Sequence, residues 1–237
     1  MEKTFRILRY NPEKDTEGHF QDYKVPYEKG LTVLEGLYYI LENLDATLAF
    51  RSSCRAAICG SCAMHINGQY RLACRTQVSA LNADLITIRP LAHMTILKDL
   101  VVDLKPFFDN YKKIEPYLQP EAVLPDKEFK QSEKQRAKID KLVDCILCSA
   151  CYGSCPVVSM NEKYLGPHAL VAALRFINDS RDSKTSERLA IVANDEGIFR
   201  CHTIFNCQQV CPKDIDPTNA ILKLRLKSFT SKLVGKI

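Results

Sequence analysis

The sequence predicts an α+β protein in which a small sheet domain precedes a helical domain. Two observations support this: strand-like alternation and one amphipathic helix fill residues 3–88, whereas helical spacing dominates beyond residue 140. A chain of 237 residues also exceeds the usual single-domain length of ~100–150 residues. We expect the sheet domain at residues 1–95, a connecting region at 96–140 and the helical domain at 141–237.

Short strands and one helix are expected in the sheet domain. Thr32 is a typical N-cap for a helix at Val33–Leu44, in which apolar residues recur every three or four positions. Asn67-Gly68 is the dipeptide favoured in type I′ hairpin turns, and a later strand is expected to close the sheet. The expected strands are residues 3–9, 19–26, 62–66, 69–73 and 85–88.

Prolines dominate the connecting region, and helices follow it. Pro106, Pro116, Pro120 and Pro125 are expected to break the chain into short pieces before a charged helix at 133–143. Three segments of the last domain have helical spacing, and we expect helices there. They are residues 167–178, 186–193 and 217–231.

The composition is that of an ordinary soluble protein, with 46% hydrophobic and 26% charged residues. These values exclude a disordered chain and a long coiled coil. The sequence has no apolar run of roughly 18 residues, and its first residues lack the apolar core of a secretory signal. We therefore expect an intracellular chain that does not itself cross a membrane.

The net charge of +5 arises at the end of the chain. Five basic residues follow Asp216, the last acidic one: Lys223, Arg225, Lys227, Lys232 and Lys236. Without them the basic and acidic residues balance. The excess is therefore expected to be a solvated helix end or a contact with anionic lipid or an acidic partner, and not a nucleic-acid-binding surface.

Eleven cysteines are the most informative feature of the composition. The number is odd, the chain is expected to be intracellular, and its length suffices for a core, so a disulfide framework is a poor explanation. Thiolates bind soft metals and iron–sulfur clusters. The cysteines are therefore candidate metal ligands.

The first group of cysteines has the spacing C-x4-C-x2-C with a distant fourth member. It consists of Cys54, Cys59, Cys62 and Cys74. This spacing matches the plant-type [2Fe–2S] pattern, and Gly60 would allow the loop backbone to approach the cluster. A zinc site of four thiolates is the alternative, although such sites usually contain two separated C-x2-C pairs and this group has one.

The second group has the spacing of bacterial ferredoxins, C-x2-C-x2-C-x3-C-P, in which the fourth cysteine binds the other of two clusters. It consists of Cys145, Cys148, Cys151 and Cys155, followed by Pro156. A third group repeats this spacing with one change, because Ile204 stands in the place of the second cysteine. Its cysteines are Cys201, Cys207 and Cys211.

Exchange of the fourth cysteines gives two different ligand sets. Cys145, Cys148, Cys151 and Cys211 supply the four thiolates of a [4Fe–4S] cluster. Cys155, Cys201 and Cys207 are expected to hold a [3Fe–4S] cluster, because the aliphatic Ile204 cannot bind iron. The alternative is a [4Fe–4S] cluster with water or hydroxide on one iron, for which an apolar neighbour is unfavourable. Three clusters without a catalytic constellation indicate a relay of single electrons.

Four segments of the chain resemble one protein family. Cys54–Cys62, Ile96–Asp103, Ser180–Asp182 and Cys201–Cys207 are similar to segments of the iron–sulfur subunit of succinate dehydrogenase and quinol:fumarate reductase. The resemblance covers essentially the whole chain. It implies a β-grasp, plant-type ferredoxin-like domain followed by an all-α, bacterial ferredoxin-like domain.

The resemblance also implies partners and a location. The partners are a flavoprotein subunit that holds FAD and a membrane anchor subunit that handles quinone and holds haem b. The chain would be peripheral, bound through these subunits to the cytoplasmic face of the inner (plasma) membrane. Nucleic acid is not an expected partner.

In similar proteins the position of His202 lies near the quinone and the three-iron cluster, and we expect Pro156 and Ile204 to be quinone-proximal as well. The alternatives are that His202 is a partly buried, hydrogen-bonding histidine and that Pro156 only ends the preceding turn and shapes the wall of the cluster site. Relatives that reduce ubiquinone tend to carry tryptophan shortly after the proline, whereas this chain has Val157–Met160 there. This difference favours a menaquinol:fumarate reductase. The alternatives are a ubiquinone-linked succinate dehydrogenase, a soluble fumarate reductase and, in a different class, a zinc-binding structural module. The direction of turnover stays open.

Overall fold

The structure is a computed structural model that describes residues 1–121 and 125–235. Lys236, one of the basic residues named above, lies outside the described residues. The chain divides into two compact units: Met1–Leu104 with Ile146–Ser154, and Lys105–Cys145 with Cys155–Ile237. Contacts do not show which segments fold independently, so the domain boundaries at residues 95 and 140 stay a prediction.

A mixed five-stranded sheet forms the first unit. Its strands are β1 (Glu2–Arg9), β2 (His19–Pro26), β3 (Ala63–Ile66), β4 (Gln69–Leu72) and β5 (Leu85–Arg89), in the order β2-β1-β5-β3-β4. β1 and β5 are parallel, and the other neighbours are antiparallel. The expectation that the strand at 85–88 closes the sheet is wrong, because β5 pairs with β1 on one side and β3 on the other.

Helix α1 (Val33–Asn43) packs against this sheet. Thr32 caps it as predicted: its hydroxyl accepts a hydrogen bond from the Glu35 N–H at 3.2 Å, and the Glu35 carboxylate accepts one from the Thr32 N–H at 2.8 Å. Gly36 faces Phe5, and a β-carbon there would lie 2.3 Å from the Phe5 ring. Glycine therefore allows the helix to approach the sheet closely.

The core of the first unit lies between α1 and the sheet. Its fully buried side chains include Phe5, Ile7, Val33, Leu37, Ile40, Ile66, Ile86 and Ile88. Burial of one such side chain contributes ~1.5–3 kcal/mol. The predicted hairpin turn is confirmed, since Asn67 and Gly68 have φ values of 44° and 83°.

The connecting region differs most from the prediction. A short hairpin, β6 (Ile96–Lys98) and β7 (Val101–Val102), and a helix, α2 (Lys105–Lys113), occur where broken pieces were expected. Pro106 is the second residue of α2, where a missing N–H costs no helical hydrogen bond. The helix predicted at 133–143 shortens to α3 (Glu133–Arg136), because Ile139 alone of its apolar residues is buried.

The second unit is helical, as predicted. Its longer helices are α6 (Gly166–Ile177), α7 (Thr185–Val192) and α9 (Pro217–Leu233), and α6 packs against α2, α7 and α9. His168 of α6 is buried and stacks on Phe107 with ring centroids 3.8 Å apart. Its Nε2 lies 2.9 Å from the Phe107 carbonyl oxygen, and burial lowers the pKa of His168 to about 3.

Three shorter helices lie close to cysteines: α4 (Ala150–Gly153), α5 (Pro156–Met160) and α8 (Asn206–Gln209). Among the helices of residues 1–121 and 125–235, none is long and apolar enough to cross a bilayer.

Candidate metal centres

All eleven cysteines are free thiols. In the described part of the chain, no three Cys, His, Asp or Glu side chains converge closely enough to hold a single metal ion. An iron–sulfur cluster does not require such convergence, because its ligands are divided among several iron atoms.

The loop at residues 54–62 directs backbone N–H groups at sulfur. The Sγ of Cys54 accepts hydrogen bonds from the N–H groups of Ala56, Ile58 and Cys59 at 3.4, 3.3 and 3.2 Å. Arg55 is left-handed, with a φ of 55°, as are Ala57 and Gly60, so the backbone curls around this sulfur atom. Such donors stabilise negative charge on a thiolate and on the sulfides of a cluster.

The thiols of this first group have contrasting environments. Hydrogen bonds from Ser61 and from the Cys54 N–H lower the pKa of Cys59 to about 6. Burial raises the pKa of Cys62, which is hydrogen-bonded to Cys74, to about 12. A bound metal would supply the positive charge that keeps a buried thiol deprotonated. The donor set therefore fits the [2Fe–2S] cluster that its spacing predicts.

One pocket of the second unit brings together the incomplete cysteine set and the residues predicted near the quinone. Its lining includes Cys155, Cys201 and Cys207, together with Pro156, His202 and Ile204. Pro156 and His202 each adjoin a cysteine of the set in sequence, and Ile204 lies between two of them, so what the structure adds is that the segments at 155–157 and 201–207 line one pocket.

The pocket combines buried sulfur with nearby polar groups. Burial raises the pKa of Cys207 to about 11 and also raises the pKa of Cys155. The Thr203 N–H donates to the Sγ of Cys201 at 3.4 Å, and the Thr218 hydroxyl lies 3.5 Å from the Sγ of Cys207. Three thiols fit a cluster that needs three protein ligands.

Two residues that contact the cysteines of this pocket were not predicted to act there. Thr218 contacts Cys207, and Arg225 donates hydrogen bonds to the carbonyl oxygens of Ile198 and Cys201 at 2.9 and 2.6 Å. The sequence shows Arg225 only as one residue of the basic tail. Ser61, beside the first group, was missed as well, and its position between two cysteines was the available signal.

The second and third cysteine groups share one backbone conformation. Leu147 and Ser149, which lie two and four residues after Cys145, are left-handed, with φ of 52° and 65°. Counting from Cys201, the same positions are Thr203 and Phe205, with φ of 57° and 69°. A 3-10 turn ends just before each group, and a four-residue helix, α4 or α8, begins five residues after its first cysteine.

This shared backbone puts Ile204 at the position that corresponds to Cys148. The third group therefore differs from the second at one side chain, while its loop keeps the same form. The four cysteines assigned to the [4Fe–4S] cluster are divided between the two units: Cys148 and Cys151 belong to the first, and Cys145 and Cys211 to the second. That set stays a prediction from spacing.

Comparison with known proteins places the chain in a family. A 2Fe-2S iron-sulfur cluster binding domain matches residues 4–109, and a 4Fe-4S dicluster domain matches residues 141–215. The mitochondrial succinate dehydrogenase [ubiquinone] iron-sulfur subunit of Candida glabrata is 47% identical over 227 residues, covering 94% of this chain and 90% of that protein. Iron-sulfur subunit 1 of Oryza sativa subsp. japonica is 45% identical, covering 95% and 83%.

A solved structure agrees with these relatives. A chain of the Mycobacterium smegmatis Sdh1 complex in the apo form superposes with a TM-score of 0.86 at 26% identity, covering 98% of this chain and 97% of that one.

These comparisons confirm the predicted fold class, the electron-transfer role and the set of [2Fe–2S], [4Fe–4S] and [3Fe–4S] clusters. They exclude the zinc-binding alternative. The chain is a subunit of an oxidoreductase complex, and membership of that complex implies a flavoprotein subunit and a membrane anchor. It belongs to the family of succinate dehydrogenase iron–sulfur subunits.

Proposed function

We propose that this chain conducts single electrons from a succinate-oxidising flavoprotein to a quinone site beside the pocket of Cys155, Cys201 and Cys207. The observation that carries the proposal is that these three cysteines and the predicted quinone-proximal residues line one pocket. Each cluster supplies one reversible electron carrier. The remaining task of the protein is to hold, orient and shield these carriers.

The cysteines divide into three ligand sets under this proposal. Cys54, Cys59, Cys62 and Cys74 hold [2Fe–2S]; Cys145, Cys148, Cys151 and Cys211 hold [4Fe–4S]; and Cys155, Cys201 and Cys207 hold [3Fe–4S]. The N–H groups aimed at Cys54 support the first set. The pocket supports the third, and the ferredoxin spacing supports the second.

Exposed residues beside the pocket support a quinone at this end of the relay. His202 is exposed, and Ile204 and Phe205 are 47% and 45% exposed. These side chains are available to a quinone ring or to the membrane anchor. Pro156 completes the lining and starts α5, where its missing N–H leaves no helical hydrogen bond unmade.

Helix α9 presents a surface that suits the membrane side. Four apolar residues of α9 are exposed at helical spacing: Leu222, Leu226, Phe229 and Leu233. Lys223 and Lys227 lie within the same helix, and each basic residue near an anionic bilayer gains ~1 kcal/mol. This supports an orientation in which the second unit faces the membrane. We propose the cytoplasmic face of a plasma membrane as the location of the chain. The relatives named above are mitochondrial proteins.

Ubiquinone is the acceptor that we propose, with succinate oxidation as the direction. The names of the curated relatives specify ubiquinone, and the comparisons do not support the preference for menaquinol:fumarate reductase. A low-potential naphthoquinone stays the second candidate, because Val157–Met160 offers no tryptophan and ends in a Met160 that is 80% exposed.

Purification of the complex through an affinity tag on this chain tests the proposal. We expect a flavoprotein with FAD, a membrane anchor with haem b and quinone, and about nine iron atoms per copy of the chain. Turnover with ubiquinone and with a naphthoquinone distinguishes the two acceptors. Stoichiometric zinc, or purification without a flavoprotein, would contradict the relay.

A further inference from the structure

Two cysteine-bearing loops touch within the first unit. Gly60 follows Cys59, and a β-carbon on Gly60 would lie 2.8 Å from Cβ and 2.9 Å from Cα of Cys148. It would also lie 2.9 Å from the carbonyl oxygen of Ile146. Two of these three atoms are backbone and cannot rotate away, so a side chain at this position would force the loops apart.

The absence of a side chain brings the two loops into van der Waals contact. Since a carbon–carbon bond is ~1.5 Å long, Cα of Gly60 lies no more than about 4.3 Å from Cβ of Cys148. An electron that passes through the covalent bonds from Cys59 to Gly60 therefore has one short through-space gap to cross before it reaches Cys148.

The segment that carries Cys148 is firmly seated on the sheet. Ser149 and Ala150 are buried, with 2% and 1% of their surface exposed. A β-carbon on Gly153 would meet the Tyr70 ring at 3.3 Å and the backbone of Ala92 at 3.4 Å. The segment thus meets the sheet domain closely at two glycine positions, Gly60 and Gly153, and has little freedom to change its distance from the first cysteine loop.

We infer that Gly60 is a positioning residue that sets the separation between the [2Fe–2S] loop and Cys148 of the neighbouring cluster. The inference rests on the ligand sets of the proposed function. The step that it serves is the transfer of one electron, lost by one cluster and gained by the next, with no proton or further reactant. Electronic coupling falls steeply as such a gap widens, so a single β-carbon at Gly60 slows this step.

The holocomplex with Gly60→Ala tests this inference, and Gly68→Ala is the matched control. Both glycines are left-handed, with φ of 74° and 83°, but a β-carbon on Gly68 has no neighbour within 4 Å. Both variants therefore suffer the same backbone strain, and only one separates the loops. The readouts are the magnetic interaction between the reduced [2Fe–2S] and [4Fe–4S] clusters, measured by electron paramagnetic resonance, and the rate at which succinate reduces the [4Fe–4S] cluster.

Gly60→Ala is expected to weaken the magnetic interaction and to slow the reduction severalfold, while Gly68→Ala matches the wild type. A Gly60→Ala complex with full iron content and an unchanged magnetic interaction would overturn the inference.

If the Gly60→Ala complex loses iron, the Gly153→Ala complex is tested instead. A β-carbon on Gly153 would lie 3.3–3.5 Å from its neighbours and therefore clashes less. A smaller weakening of the magnetic interaction is then expected, and no change counts against the inference. Failure of the proposed function is recognised separately, as a wild-type complex without the iron of the two clusters.

Discussion

The two ferredoxin-type cysteine runs, residues 145–156 and 201–212, share their backbone conformation around the first three cysteine positions and differ at the second of these, which is Cys148 in one run and Ile204 in the other. Each has left-handed residues at the same two offsets and a short helix that begins at the same offset. Left-handed Thr203 and Phe205 cost ~1–2 kcal/mol each, and the loop keeps them although Ile204 binds no iron. Under the ligand sets that we propose, loop conformation and cluster nuclearity are therefore separable, and one side chain sets the nuclearity.

Removal of a ligand from the incomplete run is expected to have the largest effect. Cys207→Ser leaves the pocket with two cysteine thiolates, so the [3Fe–4S] cluster should be lost and quinone-coupled turnover should fall to near background. Succinate oxidation by an artificial acceptor that takes electrons at the flavin should persist. Thr218→Val, which removes only the hydroxyl near Cys207, is the control and should retain the cluster. Equal loss of both activities in Cys207→Ser would contradict the proposed order of the relay.

The reverse change in the complete run should reproduce the incomplete one. Cys148→Ala leaves three thiolates in a loop of the same shape, so its cluster is expected to lose one iron atom and to give a second three-iron signal. Iron analysis and electron paramagnetic resonance of the oxidised complex measure this. A complete four-iron cluster in Cys148→Ala would show that Cys148 is not a ligand.

A change beside the incomplete run, outside the ligand set, should have an intermediate effect. His202→Ala is expected to reduce quinone-coupled turnover severalfold while the iron content and flavin-level activity stay constant. His19→Ala, which alters an exposed histidine of the sheet in the first unit, is the control. If both variants behave alike, His202 does not contact the quinone.

The smallest expected effect concerns the helix packing that supports the second unit. The pKa of His168 is about 3 in the folded chain and ~6.5 when unfolded, so the neutral ring contributes stability that is fully present above pH ~6.5. This contribution is lost as the pH falls towards 3. The free energy of unfolding then changes by at most about 1.4 kcal/mol per pH unit, which is the slope for a difference of one bound proton.

Between pH 7 and pH 5.5 the free energy of unfolding, measured with denaturant, should therefore fall less in His168→Gln than in the wild type. Because acid loss of the clusters affects both proteins, the difference between them is the relevant quantity. Identical pH dependence in the two proteins would show that His168 does not titrate as proposed.

Local patterns predicted most of these features, and long-range contacts account for what they missed. Cysteine spacing is a local property, and so are the Thr32 cap and the Asn67-Gly68 turn, which the structure confirms. The contact of Gly60 with Cys148 joins segments that are remote in sequence, and no periodicity encodes it.

Helix α2 was missed for a different reason. Pro106 was interpreted as a helix breaker, whereas its place in the first turn makes it compatible with a helix. The short hairpin β6–β7 has strands of three and two residues, too few for alternation to be visible.

The most direct test of the central claim is the iron content and the oxidised three-iron signal of Ile204→Cys compared with the wild type. Since the loop already has the conformation of the complete run, the new thiol should complete the ligand set without rearrangement. The wild type should contain about nine iron atoms per chain and show the signal, whereas the variant should contain about ten and lose it. A variant that keeps the wild-type iron content and signal, or a wild type that never shows the signal, would contradict the claim that residue 204 sets the nuclearity of this cluster.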